Sequence, residues 1–133
     1  MENNVLVIGG GPAGMMAAIA AAQAGASVTL WEKNNRLGRK LMITGKGRCN
    51  ITNAGSLEEF MQNMPGNGSF LYSAFHQFSN MALMDLVEKM GVPLKVERGK
   101  RVFPQSDKAV DVVDAFSRQL KKLGMLVVQD QVW

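Results

Sequence analysis

The sequence predicts an α/β fold, in which a parallel sheet of three strands in the order 3-2-1 forms one βαβαβ half of a Rossmann-like domain. Three observations predict this fold. Four apolar residues, 5–8, lead directly into the glycine-rich turn 9–14. An alanine-rich segment and a second apolar run, 27–31, follow that turn. A segment with helical spacing of its apolar residues then precedes a third apolar run, 125–128. Short apolar runs of this kind are typical of strands buried in parallel sheets.

The glycine-rich turn has the GxGxxG spacing at Gly9, Gly11 and Gly14. In this motif the first glycine allows a sharp turn, the second lets the backbone approach a pyrophosphate, and the third lets helix and strand pack closely. Pro12 suits the first helical turn, where a missing N–H group does no harm, and Ala13 follows it. The helix N-terminus directs free N–H groups and a partial positive charge at a phosphate. The turn therefore predicts a dinucleotide-binding site.

Glu32 supports the same prediction from the end of the second strand. A carboxylate at this place accepts hydrogen bonds from both ribose hydroxyls of a dinucleotide and repels a 2′-phosphate. Taken separately, Glu32 is more simply a solvated acid at a strand end, and a glycine turn can occur without a ligand. Here a strand, a helix, a second strand and a terminal acid occur together, and this combination favours a binding site.

The first elements follow from local patterns. The first strand is expected at 4–8, and a helix of mostly small residues is expected over 13–24. Gly25 is suited to cap the end of this helix. Residues 33–55 are a long loop, which in a compact domain is usually functional or disordered. The apolar residues 41–43 favour an ordered loop or a short helix.

Three short helices are expected after this loop. Residues 56–59, Ser-Leu-Glu-Glu, are a capping box that opens the first helix, which ends before Pro65. Ser69 is expected to cap the second helix, with Phe70 on its apolar side. Residues 80–90 have the pattern of the third helix, and a glycine and a proline follow them.

A hairpin and a longer helix complete the predicted elements. Two short strands are expected at 94–97 and 101–103. The longer helix is expected to begin at Ser106 or Asp107, because acids load its first half and lysines its end. Residues 33–106 are therefore a helical and β-hairpin insertion after the second strand.

The net charge of +4 is concentrated in one segment. Between residues 33 and 57 there is no acid and there are six basic residues: Lys33, Arg36, Arg39, Lys40, Lys46 and Arg48. Because this segment follows the glycine motif, an anionic cofactor is its simplest partner. Nucleic acid is not expected, because an RNA-binding face combines such cations with stacking aromatic residues, and this segment has none.

Composition also restricts the class of protein. A chain of 133 residues with 47% hydrophobic and 20% charged residues is typical of one globular domain. The sequence has neither an apolar run of membrane-spanning length nor a leader-like segment before the first strand, so a cytoplasmic protein is expected. Cys49 and His76 are the single cysteine and histidine, which excludes an internal disulfide and disfavours a zinc site.

Two segments make the sequence more specific. They are Arg-Leu-Gly-Arg-Lys-Leu at 36–41 and Gly-Lys-Gly-Arg-Cys-Asn-Ile-Thr-Asn at 45–53. Together with 9–14 they resemble the aminoacetone-oxidase-like flavoproteins, a family of NAD(P)/FAD-dependent oxidoreductases that includes a bile-acid-pathway reductase type. Segments 70–73 and 102–109 are similar to the same family, so the resemblance covers almost the whole chain.

The resemblance implies FAD as cofactor and the two-dinucleotide-binding flavoprotein fold. The residues that it implies for the cofactor follow the chain in order. They are Gly9, Gly11 and Gly14 at the pyrophosphate, Glu32 at the adenosine ribose, and Arg39, Lys40, Gly45, Gly47 and Asn50 along the cofactor towards the flavin. Pro12, Ala13 and Lys33 are further cofactor-binding residues that the resemblance implies. Family members are several hundred residues long. The resemblance therefore implies that residues 1–133 are the N-terminal part of an FAD/NAD(P)-binding domain, truncated and inactive by itself.

No residue is assigned as a catalytic base, and no metal ligand is assigned. His76 is more simply a structural residue on a helix. Arg48 could lower the pKa of the adjacent Cys49 thiol, but a buried, inert thiol is favoured. The acids Asp107, Asp111 and Asp114 are more simply a helix-start charge pattern than a catalytic set.

Three functions remain open. The first is the FAD-binding part of an oxidoreductase, with hydride transfer through FAD and with NAD(P)H and a small molecule as further partners of the whole protein. The second is a simple NAD-binding Rossmann domain. The third is a non-catalytic fragment that needs the missing C-terminal part. The first is favoured by the loop with six basic residues and by the insertion that interrupts the sheet after its second strand.

Overall fold

The computed structural model describes residues 2–129, which contain two three-stranded sheets. The first sheet consists of β1 (Asn4–Ile8), β2 (Ser27–Glu32) and β6 (Leu126–Gln129). It is parallel, and its strand order is β1-β2-β6. Since β6 is the third strand of the βαβαβ unit, the predicted 3-2-1 order is confirmed. The residues that the sequence places after this strand, 130–133, lie outside the described residues.

Two helices cover one face of the parallel sheet. They are α1 (Pro12–Gln23) and α5 (Ala109–Lys122). The strand residues on this face join the helices in one apolar core that includes Val28, Leu30, Met15, Ile19, Phe116 and Leu120. The small residues of α1 let it lie against the sheet, as predicted, while its few large side chains fill the core.

The other face of this sheet is uncovered within residues 2–129. Leu6 and Ile8 are 54% and 57% exposed, and Leu126 is 60% exposed. Leu6 and Leu126 share this face because both pair with Thr29 in the parallel register. β1 also has a single neighbouring strand in the described part of the chain. Within these residues the parallel sheet therefore has both an open apolar edge and an open apolar face.

The insertion between β2 and α5 forms the second sheet. The predicted hairpin is present as β4 (Leu94–Glu97) and β5 (Arg101–Pro104), which are antiparallel. A further strand, β3 (Thr52–Asn53), pairs with β5 and gives the order β3-β5-β4. The sequence places β3 in a loop, because a strand of two residues has no alternating pattern and its partner is distant along the chain.

The insertion also contains α2 (Leu57–Gln62), α3 (Tyr72–Gln77) and α4 (Asn80–Lys89). The predicted capping box at Ser56 is confirmed, with reciprocal hydrogen bonds between Ser56 and Glu59. The second predicted helix is present as α3, but its predicted start is wrong: the Ser69 hydroxyl bonds to Asn67, and Phe70 is 83% exposed. A 3₁₀ turn over Gly68–Leu71 replaces the first α-helical turn, so the helical spacing assumed for Phe70 does not apply.

The start of α5 also differs from the prediction. Asp107 has a φ of +58°, which is incompatible with the first turn of a right-handed helix. Its carboxylate instead accepts hydrogen bonds from Arg48 and Lys95. The interpretation of Asp107 as a helix-start charge is therefore wrong. No helix within residues 2–129 combines the length and the apolar character needed to cross a bilayer.

Candidate dinucleotide-binding site

The turn between β1 and α1 has the backbone geometry that the glycine motif predicts. Gly9 has a φ of +102°, in a region that glycine adopts without strain. A Cβ atom on Gly14 would lie 1.8 Å from the Gly9 carbonyl oxygen, so α1 can approach β1 only with glycine there. A Cβ atom on Gly11 would meet no described atom within 4 Å, and the φ of −77° suits any residue. Packing within residues 2–129 therefore does not require glycine at Gly11, as expected for a position that faces a ligand.

Gly10, a variable position of the motif, is also constrained. A Cβ atom there would lie 2.4 Å from Leu37 Cδ2. The Gly10 N–H group donates to Glu32 Oε2 at 2.7 Å, and the Gly10 carbonyl accepts from the Gly38 N–H group at 2.8 Å. Gly10 thus joins the glycine turn to the end of β2 and to the loop beyond it. The motif does not indicate this role, because the constraint comes from residues that are distant in sequence.

Glu32 is 9% exposed, and N–H groups hold both of its carboxylate oxygens. Oε2 accepts from Gly10, while Oε1 accepts from the backbone N–H group and from Nδ2 of Asn34, each at 3.0 Å. Burial alone would raise the pKa of Glu32, but the hydrogen bonds from Asn34 and Gly10 outweigh it and keep the pKa below its ordinary value. Glu32 is therefore an ionised acceptor in a defined orientation.

These groups border one cavity of about 600 Å³, which we call the glycine-turn cavity. Its lining consists of Ile8, Gly9, Gly11, Pro12, Trp31, Glu32, Lys33, Asn34, Arg39 and Lys40. The volume lies in the usual range for small-molecule sites. The sequence predicts Gly9, Gly11, Pro12, Glu32, Lys33, Arg39 and Lys40 for the cofactor, and the fold brings them together here. The structure adds Asn34 and the apolar residues Ile8 and Trp31 to this lining.

Ala13 and Gly14 lie in the first turn of α1, beside the cavity rather than in its lining. The first intrahelical hydrogen bond runs from the Met15 N–H group to the Gly11 carbonyl at 2.9 Å. The N–H groups of Ala13 and Gly14 precede it and have no intrahelical acceptor. Such groups can donate to an anion at the helix N-terminus.

Of the remaining predicted residues, Gly45 and Asn50 contact the second sheet, whereas Gly47 is exposed and lies near the Met42 carbonyl of its own loop. A Cβ atom on Gly45 would lie 3.1 Å from the Phe103 ring. Asn50 Nδ2 donates to the Val102 carbonyl at 3.1 Å. The lining of the glycine-turn cavity in residues 2–129 contains none of the three. The ordered loop or short helix predicted near residues 41–43 is present as 3₁₀ turns over Leu41–Gly47, which end in left-handed residues.

Arg48 links this loop to the hairpin through an ion cluster. Its guanidinium bonds to Glu97 and, at 2.8 Å, to Asp107, and Lys95 joins both carboxylates. The guanidinium also lies 4.1 Å from the centre of the Phe103 ring. Of the six basic residues in 33–57, Arg48 is the one that forms ion pairs within the described residues. Its charge is neutralised there, and the positive charge at the glycine-turn cavity comes from Lys33, Arg39 and Lys40.

Cys49 is fully buried, and burial raises the pKa of its thiol. The neighbouring Arg48 does not lower that pKa, since its guanidinium is bound to carboxylates; the expectation of an inert, buried thiol is supported. His76 is exposed on α3, with Nδ1 at 3.0 Å from the Tyr72 carbonyl oxygen. No group of three or more acidic, histidine or cysteine side chains in residues 2–129 is arranged to hold a metal ion.

A second cavity, of about 700 Å³, lies at α2 and the hairpin turn. Its polar side chains already have protein partners. Asn53 Nδ2 donates to the Gly99 carbonyl, Asn63 Nδ2 donates to the Glu59 carbonyl, and Lys100 pairs with the Glu59 carboxylate. The glycine-turn cavity, which contains the predicted residues, is therefore the candidate site.

Three features define a Rossmann domain of the dinucleotide-binding type. They are the parallel strand order, the glycine turn in which Gly14 packs against the Gly9 carbonyl, and the acid at the end of β2. A sequence model described as the HI0933-like protein Rossmann domain matches residues 3–133, and the chain belongs to this family. The fold is similar to that of Thermovibrio ammonificans THI4, with a TM-score of 0.64, 16% identity and coverage of 96% of this chain and 38% of that one.

Two relatives have similar sequences. The chain is 33% identical over 125 residues to the 3-dehydro-bile acid delta(4,6)-reductase of Clostridium scindens. It is 33% identical over 119 residues to the ribosomal RNA dihydrouridine synthase of Escherichia coli. Each match covers 90% of this chain and 29% of the relative, so the chain spans less than a third of their length. The resemblance to a family that includes a bile-acid-pathway reductase is confirmed.

Proposed function

We propose that this chain is the FAD-binding part of a flavin-dependent oxidoreductase. In this proposal residues 1–133 are the N-terminal part of an FAD/NAD(P)-binding domain, and residues 33–106 are inserted after its second strand. The observation that carries the proposal is the glycine-turn cavity. It brings together Gly11, which has free space beside its Cα, the N-terminus of α1 and the ionised Glu32.

The residues of the cavity fit the adenosine diphosphate half of FAD. Gly9 and Gly11, together with Pro12, leave room for a pyrophosphate, and the N–H groups of Ala13 and Gly14 are placed to donate to it. Glu32 is an acceptor for ribose hydroxyls. Lys33, Arg39 and Lys40 supply positive charge at the cavity for the phosphates.

The loop from Gly45 through Gly47 to Asn50 is proposed to contact the cofactor towards the flavin. Its backbone is ordered in advance by its packing on Phe103 and by the Arg48 ion cluster. A preorganised loop of this kind loses little conformational entropy on binding. We assign it no side-chain role in catalysis, and no residue of this chain is proposed as a catalytic base.

FAD, when bound, supplies the hydride-transfer chemistry. NAD(P)H and a small-molecule substrate are the further proposed partners of the whole protein, in the cytoplasm. One relative is named a reductase and the other a dihydrouridine synthase, and both names favour a reduction. The second name refers to ribosomal RNA, so an RNA substrate for the whole protein is the alternative to a small molecule.

The proposal has two competitors. A simple NAD-binding Rossmann domain would also use Glu32 for a ribose. A non-catalytic part that binds little without further polypeptide is favoured by the uncovered face of the parallel sheet. Titration of the purified chain with FAD and NAD, followed by calorimetry and by the flavin absorption bands, separates the three. Tight FAD binding supports the proposal. NAD binding without FAD binding supports the first competitor, and no binding of either at high micromolar concentration supports the second.

A further inference from the structure

Glu32 has fewer free acceptor positions than the ribose of a dinucleotide requires. An ionised carboxylate offers about four lone-pair positions. Within the described residues, three N–H groups already occupy such positions: that of Gly10 on Oε2, and two from Asn34 on Oε1. One position remains, on Oε2, whereas the ribose presents two neighbouring hydroxyl groups. A second acceptor beside Glu32 is therefore needed if both hydroxyls are to be bound.

Asn34 has an acceptor in this place. Its Nδ2 donates to Glu32 Oε1 at 3.0 Å, and its Oδ1 accepts from Arg39 Nη1 at 3.1 Å. These two neighbours determine the orientation of the amide, since a carboxylate only accepts hydrogen bonds and a guanidinium only donates them. An amide oxygen has two lone pairs, so Oδ1 keeps one after it has accepted from Arg39.

The three side chains form one chain of hydrogen bonds in the lining of the glycine-turn cavity. Glu32 is buried at its inner end, Asn34 is half-buried, and Arg39 is exposed at its outer end. The amide therefore lies between the acid expected at the ribose and a cation expected at the phosphates. A change at Asn34 acts on both neighbours at once.

We propose that Asn34 determines specificity at the ribose of the adenosine. Glu32 Oε2 accepts one ribose hydroxyl, and Asn34 Oδ1 accepts the other. The pair thereby selects a ribose with two free hydroxyls. Asn34 also positions its two neighbours by holding the Glu32 carboxylate and the Arg39 guanidinium in place. This inference rests on the proposed function, since the ribose in question is that of FAD.

The test compares ADP, which contains this ribose and a diphosphate, with 2′,3′-dideoxy-ADP. Both are titrated into the 133-residue chain and its Asn34→Ala variant by calorimetry, and FAD is titrated in parallel. The wild-type chain prefers ADP to the dideoxy analogue. In Asn34→Ala this preference falls by about threefold to tenfold, the factor expected for one neutral hydrogen bond. FAD binding weakens by about the same factor.

Asn35→Ala is the matched control, because Asn35 is the adjacent asparagine of the same loop and is exposed. It is expected to leave the affinities for all three ligands unchanged. A second variant, Asn34→Asp, keeps an acceptor oxygen at this position but replaces the amide donor by a charged oxygen beside Glu32. It is expected to weaken ADP and dideoxy-ADP alike while it retains the preference between them.

Three outcomes would overturn the inference. An equal loss of ADP and dideoxy-ADP binding in Asn34→Ala would indicate a merely structural role. An unchanged FAD affinity in Asn34→Ala would exclude any role at the site. A loss of the ribose preference in Asn34→Asp would show that an acceptor at this position is not what selects the ribose. If the wild-type chain binds neither FAD nor ADP, the proposed function itself fails, so the two failures are distinguishable.

Discussion

Gly11→Val is expected to abolish FAD binding while the fold stays intact. The reason is that Gly11 borders the glycine-turn cavity, whereas a Cβ atom there would meet no described protein atom within 4 Å. Its φ of −77° and ψ of −179° are extended backbone that valine adopts readily. The substitution therefore fills space that the protein leaves open and that the pyrophosphate is proposed to occupy.

The expected loss of affinity follows from two effects. Forcing extra methyl groups into a filled site costs about 1–3 kcal/mol. Loss of one charge-assisted hydrogen bond between backbone and phosphate adds about 1.5–3 kcal/mol. Their sum corresponds to a loss of affinity of at least about 60-fold. The unfolding free energy is expected to change by less than about 1 kcal/mol, since valine is a poorer N-cap than glycine but restricts the unfolded chain.

The assay is a calorimetric titration with FAD together with a thermal unfolding curve for each variant. Ala20→Val is the matched control, because Ala20 is an exposed residue of α1 outside the cavity lining. It introduces the same side chain and should keep the FAD affinity of the wild-type chain. Wild-type affinity in Gly11→Val would refute the assignment of the pyrophosphate to this turn. A large fall in melting temperature would refute the claim that the position is free of packing constraints.

Three further predictions concern the neighbouring residues. Gly14→Ala is expected to destabilise the fold by at least about 2 kcal/mol, because the new Cβ would lie 1.8 Å from the Gly9 carbonyl oxygen; an unchanged denaturant midpoint would contradict this. Glu32→Gln is expected to weaken FAD binding by at least about tenfold through loss of a charged acceptor, whereas the exposed Glu58→Gln serves as control and should bind as the wild type does. Arg48→Met is expected to make stability less sensitive to acid. The hydrogen bond from Arg48 lowers the pKa of Glu97, and that from Lys95, followed by that from Arg48, lowers the pKa of Asp107. Carboxylates with lowered pKa stabilise the fold above their ordinary pKa and lose this contribution as the pH falls through the lowered value. Melting temperatures measured below the ordinary carboxylate range should therefore fall more steeply in the wild type and in the exposed control Arg118→Met than in Arg48→Met; parallel curves would count against the ion cluster.

Some site residues could be predicted from the sequence because their roles are local. Gly9, Gly11 and Gly14 are determined by a turn of six residues, and Glu32 by its place at the end of a strand. Gly10 and Asn34 could not be predicted in this way. Leu37 and Glu32 leave no room for a side chain at Gly10. Asn34 has its role because its amide bonds to both Glu32 and Arg39.

Two of the errors, at Asp107 and Arg48, have the same origin. Asp107 has the charge and position of a helix-start residue, but Arg48 and Lys95 bind its carboxylate and its φ is positive. Arg48 has the charge of a phosphate ligand and lies in the basic segment, but two carboxylates neutralise it. In each case, a partner more than ten residues away decides the role, and no local pattern contains that partner.

The sequence by itself determined the class of this protein. Apolar runs, a glycine turn and a terminal acid are sufficient to predict a parallel 3-2-1 sheet with a dinucleotide-type turn, because strand burial, helix starts and backbone freedom depend on neighbours in the chain. Only the tertiary structure decided which predicted residues share a cavity and which pack on the second sheet. It also decided that Asn34 stands between the acid and the cation. Such placements depend on contacts between segments distant in sequence, and these contacts exist only after the chain has folded.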